Sequence, residues 1–409
     1  MSKLFAVCAP GLESFTAWEL EQMNLLRGPA VPSADPASPE EEADEGGGVE
    51  FHGALADLYR VNLKLRTASR VLLRLGEFYA GTFSDLGRRA KRLAWEEVLA
   101  PGQPIALRVT CRGSRLYHSG AVAERVTAAI ADRIGQPPPV QKFQGEEAQT
   151  QLVVVRLVEN RCTISVDTSG ELLHRRGYRQ ATGKAPMRET LAAAVVLASR
   201  WDTRSPFLDP FCGAGTIAIE AALLARKINP GRGRSFAFMR WPNFDAALWE
   251  GMALEGGERL SPRTRILASD RDAGAIRSAE ANAVRAGVAD SIEFSCRAVS
   301  AIEPPAGPGW VVTNPPYGVR LKTSHDLRRL FVRFGTVLRI QCPEWHLAMI
   351  CDSREAMTLT GLNLEEAGSL SNGGLQVFLA QGRIPRGQRL AAARPPGRPK
   401  RITGGRRGP

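Results

Sequence analysis

Leu208-Asp209-Pro210-Phe211-Cys212-Gly213-Ala214-Gly215-Thr216-Ile217-Ala218 reads as a short apolar strand, a tight glycine turn and the start of a helix. The helix runs on through Ile219-Glu220-Ala221-Ala222-Leu223-Leu224-Ala225. Gly213 and Gly215 carry no Cβ and let the backbone approach a ligand, while a helix opening directly after them presents unpaired N–H groups. Gly213-x-Gly215-x-x-Ala218 also satisfies the dinucleotide fingerprint, so the loop alone leaves the cofactor open. That fingerprint expects an acidic residue about 20 positions on. The next strand-like run, Arg265-Ile266-Leu267-Ala268-Ser269, ends in Asp270, well beyond that spacing. A carboxylate at the C-terminal edge of a strand still lies at the ligand crevice of an open parallel sheet, where it can grip a ribose diol. A new helix begins at Asp272-Ala273-Gly274-Ala275-Ile276.

Further along, the apolar run Trp310-Val311-Val312-Thr313 leads into Asn314-Pro315-Pro316-Tyr317. Proline fixes φ and donates no hydrogen bond, and a residue before proline is held extended. Asn314 and Pro315 can therefore present rigid carbonyl acceptors, with the Asn314 amide as another acceptor and Tyr317 as a flat apolar plate. Two acceptors and a stacking surface suit a planar group bearing an NH₂, such as a nucleobase. A ribose site followed by an amine-holding turn fits S-adenosylmethionine (SAM) better than NAD.

DPFCGAGT, ASDRDAGAI and NPPYG, in that order, resemble the motifs of class I SAM-dependent methyltransferases that act on exocyclic nitrogen. More of the chain is similar to one branch. The segments Val166-Asp167-Thr168-Ser169-Gly170-Glu171, Leu173-His174-Arg175-Arg176-Gly177-Tyr178-Arg179, Ala185-Pro186-Met187-Arg188-Glu189-Thr190-Leu191-Ala192 and Asn229-Pro230-Gly231 resemble the bacterial THUMP-containing methyltransferases that modify guanine N2 in 23S rRNA. The resemblance implies an α/β fold: a Rossmann-like methyltransferase domain with a mostly parallel seven-stranded sheet, preceded by an α+β ferredoxin-like and THUMP region. The implied organisation is a ferredoxin-like segment over 1–66 with a disordered acidic insert at 28–48. A THUMP RNA-binding domain follows over 67–167, then a basic linker over 168–185, the methyltransferase domain over 186–384 and a disordered basic tail over 385–409. It further implies catalytic roles for Asn314, Pro315, Pro316 and Tyr317. SAM would be held by Asp209, Phe211, Cys212, Gly213, Gly215, Thr216, Asp270, Arg271 and Asp272. The family's usual acid after the third strand stands here as Ala298, and NPPYG is followed by Val319 where the family has Glu.

The chain has 409 residues and a formal net charge of +12. Nine basic and no acidic residues lie in 383–409, so the rest of the chain carries only about +3. The tail reads as a polyanion grip or a solubilising terminus. Seven cysteines without a C-x-x-C pair argue against a disulfide framework. The five histidines show no metal-ligand spacing, and no metal is expected. No apolar run reaches the length of a membrane span; a cytoplasmic protein that does not engage the membrane is expected.

In the front half, helical and alternating patterns predict strands at 4–9, 70–78 and 104–110, and helices over 12–23, around 55–65, over 83–99 and around 122–130. A hairpin over 151–167 is expected to turn at Glu159-Asn160. Arg88, Arg89, Lys91 and Arg92 fall on the 83–99 helix. With Arg175, Arg176, Tyr178 and Arg179 of the linker, they are the candidate RNA contacts, since Arg pairs phosphates and Tyr stacks bases. RNA, as rRNA or tRNA, is thus the expected partner. Rival readings are a protein glutamine-N5 methyltransferase, a DNA adenine methyltransferase, and a non-catalytic RNA-binding assembly factor that kept the fold.

Overall fold

Two sheets, joined by a buried ionic cluster, organise the chain. The structure, a computed structural model, describes residues 1–26, 47–142, 149–179, 187–255, 264–316, 324–372 and 375–386. Most of the acidic insert, the end of the linker, Tyr317, Val319 and the tail from 387 lie outside the described residues.

The first sheet is built from β1 (Ser2–Cys8), β2 (Gly47–Gly53), β3 (Ala68–Tyr79), β4 (Ile105–Arg112), β5 (Gln151–Val158) and β6 (Arg161–Asp167). Its order is β2-β1-β3-β6-β5-β4. Helices α1 (Glu13–Gln22), α2 (Leu55–Lys64), α3 (Phe83–Ala90) and α4 (Ser119–Ile134) alternate with these strands. All ladders are antiparallel except β4 with β5. The twelve-residue β3 has two partners. Ala68 to Arg74 pair with β1, and Leu72 to Tyr79 pair with β6. The 66/67 division therefore falls in the chain but not in the sheet. At the β5–β6 hairpin Glu159 and Asn160 have φ of 51° and 65°, the left-handed pair that a two-residue turn needs to match strand twist.

The expected 83–99 helix is shorter than its pattern suggests. α3 stops at Ala90, and 95–97 form a separate 3₁₀ turn. Trp95 is fully buried, and its indole Nε1 donates to the Ala90 carbonyl at 2.8 Å. Burying that large side chain turns the backbone inward and gives the Ala90 carbonyl a second donor beside the Leu93 N–H at 3.2 Å. Arg88 and Arg89 thus sit on α3, Lys91 on its C-cap and Arg92 beyond it.

The second sheet contains β7 (Phe207–Asp209), β8 (Ile266–Asp270), β9 (Ile292–Cys296), β10 (Trp310–Thr313), β11 (His346–Cys351), β12 (Glu365–Asn372) and β13 (Leu375–Arg383). Its order is β12-β13-β11-β10-β7-β8-β9. The five strands from β11 to β9 are parallel, and β13 runs antiparallel beside β11. Helices α5 (Glu189–Ala198), α6 (Thr216–Ala225), α8 (Ala273–Arg285), α9 (Ser324–Gln341) and α10 (Arg354–Leu359) complete it, whereas α7 (Ala246–Ala253) packs on α2 and the core of the first sheet. Strand order reverses between β7 and β10, the switch point where doubly wound sheets open a crevice.

α6 is buried along almost its whole length, which forces the one charged residue in it to find partners inside. Glu220 Oε1 faces Arg176 Nε at 3.1 Å and accepts a hydrogen bond from the Tyr178 hydroxyl at 3.0 Å, while Oε2 lies 3.9 Å from Arg66 Nη1. Arg66 Nη2 also donates to the Ile228 carbonyl at 2.7 Å, and Arg176 Nη2 to the Arg66 carbonyl at 2.6 Å. The cluster ties the first sheet, the linker and α6 together. Nearby, Gly231 donates its N–H to Leu63 at 2.9 Å, and a Cβ there would lie 2.9 Å from the Asn62 carbonyl oxygen, so only glycine lets the two backbones meet.

Replacing Glu220 by Ala would take from two buried guanidinium groups the carboxylate that both of them face. A loss of about 3–5 kcal/mol is expected, read as a lower urea midpoint; a midpoint within experimental error of wild type would show that the cluster does not hold the fold.

Candidate active site at the switch point

The glycine loop is placed by bonds from both sides. Cys212 N–H donates to Ser269 on β8 at 3.0 Å, and Gly215 N–H closes the turn onto the Cys212 carbonyl at 2.8 Å. Gly215 has φ +83° at the N-cap of α6, and a Cβ there would stand 2.9 Å from the Ala279 methyl. A side chain is excluded on both counts. From behind, fully buried Asn282 donates its amide to the Ala214 carbonyl at 3.0 Å. Arg285 pairs with Asn282 and donates Nε–H to the Tyr178 carbonyl at 2.6 Å. A continuous chain of hydrogen bonds thus runs from the linker to the loop.

In front of the loop lies a cleft of ≈ 1170 Å³. Phe211, Gly213, Asp270, Arg271 and Asp272 border it on one side, and Asn314 and Pro316 at the end of β10 on another. The Asp270 carboxylate takes the Gly213 N–H at 3.0 Å through Oδ2 and the Asp272 N–H at 3.0 Å through Oδ1. It is thereby aimed along the edge of the cleft, half-exposed. Asp272 caps α8, accepting from Gly274 N–H at 2.7 Å. No described atom lies within 4 Å of where a Gly213 Cβ would stand, so the loop leaves room there for a ligand.

Asn314 Oδ1 is buried and has no hydrogen-bond partner among the described residues. A buried polar atom left without a partner costs about 1–3 kcal/mol, so this acceptor is set for a donor that arrives from the cleft. Pro315 is buried beside it and does not line the cleft.

Other residues proposed for the cofactor stand behind the lining. Asp209 is buried, accepts from the Thr313 hydroxyl at 2.6 Å and from Phe211 N–H at 3.3 Å, and so ties together the two strands that flank the switch point. It does not border the cleft. Cys212 is buried too, and burial pushes its thiol well above the ordinary value, with the Asp209 and Asp270 charges adding to the rise. A thiol so held does not ionise into a nucleophile. Gly215 and Thr216 sit at the α6 N-terminus without lining the cleft.

For the basic residues the structure brings a correction. Tyr178 is buried in the core, and the Arg176 side chain is about as buried, both consumed by Glu220. Arg179 pairs with Glu189 at 3.3 Å and donates to the Met187 carbonyl at 2.6 Å. An Arg-rich linker reads as RNA-facing, but here the basic charge answers buried carboxylates. Arg175 is exposed. On α3, Arg88 pairs with Asp85 and Lys91 with Asp132 at 3.4 Å, while Arg89 and Arg92 are exposed. Sequence reading missed the side of the cleft formed by Val299, Ser300 and the α9 residues around the arginines Arg328, Arg329 and Arg333. The missed signal is positional, since Phe331, Phe334 and Leu338 mark the buried face of α9 and leave these arginines on the other. Among the described residues no His, Cys, Asp or Glu cluster could hold a metal, and no helix is long and apolar enough to cross a membrane.

Burial raises the Asp209 carboxyl to about 7, with the Asp270 charge adding to the rise; the bonds from Thr313 and Phe211 act the other way. The folded form then holds a proton that the unfolded chain has released above about pH 4. Stability therefore falls as pH rises from about 4 through about 7. Asp209→Asn keeps the acceptor but cannot ionise, so its stability relative to wild type should grow between pH 5 and pH 8 in thermal unfolding. A pH-independent difference would show that Asp209 ionises normally in the fold.

The chain matches an RlmL ferredoxin-like domain over 41–72, a THUMP domain over 80–167 and an RMKL-like methyltransferase domain over 176–379. A protein of Synechocystis sp., provisionally named an RNA methyltransferase, is 33% identical over 380 residues, covering 92% of this chain and 95% of the relative. Among solved structures, SMU.472, a methyltransferase candidate complexed with S-adenosylhomocysteine (SAH), superposes with a TM-score of 0.79 at 28% identity, over 95% of this chain and 99% of that one. A Listeria monocytogenes protein, named from its sequence as an N6-adenine-specific DNA methylase, gives 0.76 at 31% identity, over 92% and 95%. With the relationship extending over nearly the full length of both chains, and with the glycine loop, Asp270 and Asn314 gathered at one switch point, the chain belongs to the THUMP-bearing RMKL-like methyltransferase family.

Proposed function

We propose that this enzyme methylates the exocyclic N2 amine of a guanosine in RNA, and that the RNA is 23S rRNA. Its methyl donor is S-adenosylmethionine, which supplies a methyl group on a sulfonium leaving group. The site residues fit that molecule: the Asp270 carboxylate can take the ribose hydroxyls, the open face of Gly213 leaves room for the methionine end, and Arg271 and Ala298 border the space for adenine. The cleft exceeds the size of ordinary small-ligand sites, which leaves room for one nucleobase beside the cofactor.

The observation that carries the proposal is the orphaned Asn314 Oδ1. A guanine amine is a weak nucleophile because its lone pair is delocalised into the ring. Accepting its two N–H groups, one at Asn314 Oδ1 and one at the Pro315 carbonyl, which the base reaches only by passing the lining residues Asn314 and Pro316, favours a pyramidal nitrogen with its lone pair aimed at the methyl carbon. Prolines at 315 and 316 hold those acceptors in one geometry. The remaining work is alignment, with nitrogen and carbon about 3–3.5 Å apart. As the N–C bond forms, the C–S electron pair leaves with sulfur, and the surplus proton on nitrogen passes to water. The base must leave its stack to reach this depth, and Tyr317 is proposed to stack on it.

RNA as substrate is supported by the THUMP match and by the name of the Synechocystis relative. Adenine N6 offers the same two donors, and the Listeria protein's name points to it. Nucleoside mass spectrometry of RNA treated with enzyme and labelled SAM decides between them. N2-methylguanosine in the 23S rRNA fraction is expected; the mark in tRNA alone, or on N6-methyladenosine, would overturn the assignment. Asn314→Ala should lower kcat by about 10²–10³, as when one oriented transition-state hydrogen bond is removed, while SAM affinity in calorimetry stays within about twofold. Asp270→Ala should weaken SAM binding by about tenfold or more; unchanged affinity would move the ribose contact elsewhere.

A further inference from the structure

We propose that Arg328, Arg329 and Arg333 on α9 form a clamp for the phosphodiesters of the RNA strand that carries the target nucleotide. The proposal rests on the RNA reading above and extends it to residues that no motif marks. α9 is anchored by Phe331, Phe334 and Leu338, all fully buried against the β10–β11 side of the sheet. Helical periodicity then places residues 328, 329, 332 and 333 together on the opposite face. All four border the cleft, together with Asn314 and Asp270. Arg339, farther along the helix, serves the fold by donating to the Thr360 carbonyl at 3.1 Å and to Gly361.

The charge of the three arginines is unanswered. None of them pairs with an acidic group among the described residues, whereas Arg265, Arg297 and Arg354 each hold a glutamate at 2.7–2.9 Å. The two carboxylates on the cleft are already engaged, Asp270 by the glycine loop and Asp272 by the α8 cap. Three neighbouring positive charges repel one another within a single helix, and an arriving anion relieves that repulsion. A nucleobase is neutral, and the cofactor brings one carboxylate, too few for three guanidinium groups. The phosphates on either side of an extruded nucleotide are the remaining anions that must come to this opening. Guanidinium groups take them in paired hydrogen bonds, and phosphate contacts set register without reading sequence. Residues 328 to 333 span about 7.5 Å of helix axis, so the clamp is long enough to meet more than one phosphate. Val332, 47% exposed between the arginines, offers an apolar contact.

The test compares wild type with the triple variant Arg328→Ala/Arg329→Ala/Arg333→Ala and the triple Lys variant. Each is titrated with a fluorescein-labelled oligouridylate bearing one guanosine, across a potassium chloride series, and with SAM by calorimetry. Because these side chains are exposed, thermal unfolding should not change. The Ala variant should bind the oligonucleotide more weakly, with the slope of log affinity against log salt shallower by about 0.7 per lost contact and about 2 in all. KM for RNA should rise with SAM affinity unchanged, and the Lys variant should recover the slope. An unchanged slope in an enzyme that methylates RNA overturns the clamp and leaves the proposed reaction standing. Lost SAM affinity with an unchanged slope assigns the arginines to the cofactor and likewise overturns it. A shallower slope with no methyl transfer to RNA by wild type upholds the clamp and sinks the proposed reaction.

Discussion

The whole arrangement depends on one carboxylate buried where a hydrophobic helix should be sealed. Glu220 sits on α6, the helix that follows the glycine loop, and faces away from the cleft toward Arg66, Arg176 and Tyr178. Burying these charges costs several kcal/mol per ion before pairing returns it, so the cluster is a poor source of net stability. What it supplies is selectivity of packing. Any docking of the two sheets that misplaces one guanidinium strands a charge in the interior. Its neighbour Tyr178 carries the constraint on, since the Tyr178 carbonyl holds Arg285, which holds Asn282, which holds the glycine loop. The glycine loop and the orientation of the front sheet are thus parts of one polar network.

What was legible in the sequence was mostly backbone chemistry. Gly213 and Gly215, the proline pair and Asp270 at a strand end are read from local rules that hold wherever the chain goes, and they mark the switch point. The hairpin at Glu159-Asn160 is legible for the same reason. Where the reading failed, the missing information was direction. Arg176 and Tyr178 look like an RNA surface in a linear list, and only the fold reveals a glutamate behind them. The 83–99 pattern is helical throughout, yet a single indole finds its hydrogen bond at Ala90 and the helix ends there. Arg328, Arg329 and Arg333 carried the opposite difficulty: their charge was visible, but nothing local tells which face of α9 packs on the sheet.

Acidic groups divide their labour with distance from the solvent. Asp209, fully enclosed, joins β7 to β10 through Thr313 and is raised to about 7. Asp270, one strand over and half-exposed, keeps its carboxylate at the cleft edge while ordering the loop. The same residue type joins two buried strands in one place and borders the cleft in the other, and the two differ in burial.

β3 has a consequence for how such a protein can be taken apart. The ferredoxin-like match ends at residue 72, inside β3, and the THUMP match begins at residue 80, just past it, yet the strand is a single rod that is hydrogen-bonded on one margin to β1 and on the other to β6. Cutting the chain just ahead of β3 would strip the first margin of its partner and leave Ala68 to Arg74 as a raw edge, an invitation to pair with a second molecule. The ferredoxin-like and THUMP parts are therefore one lever. A push on β4 at the far margin is passed on through a sheet whose six strands are hydrogen-bonded in one unbroken order.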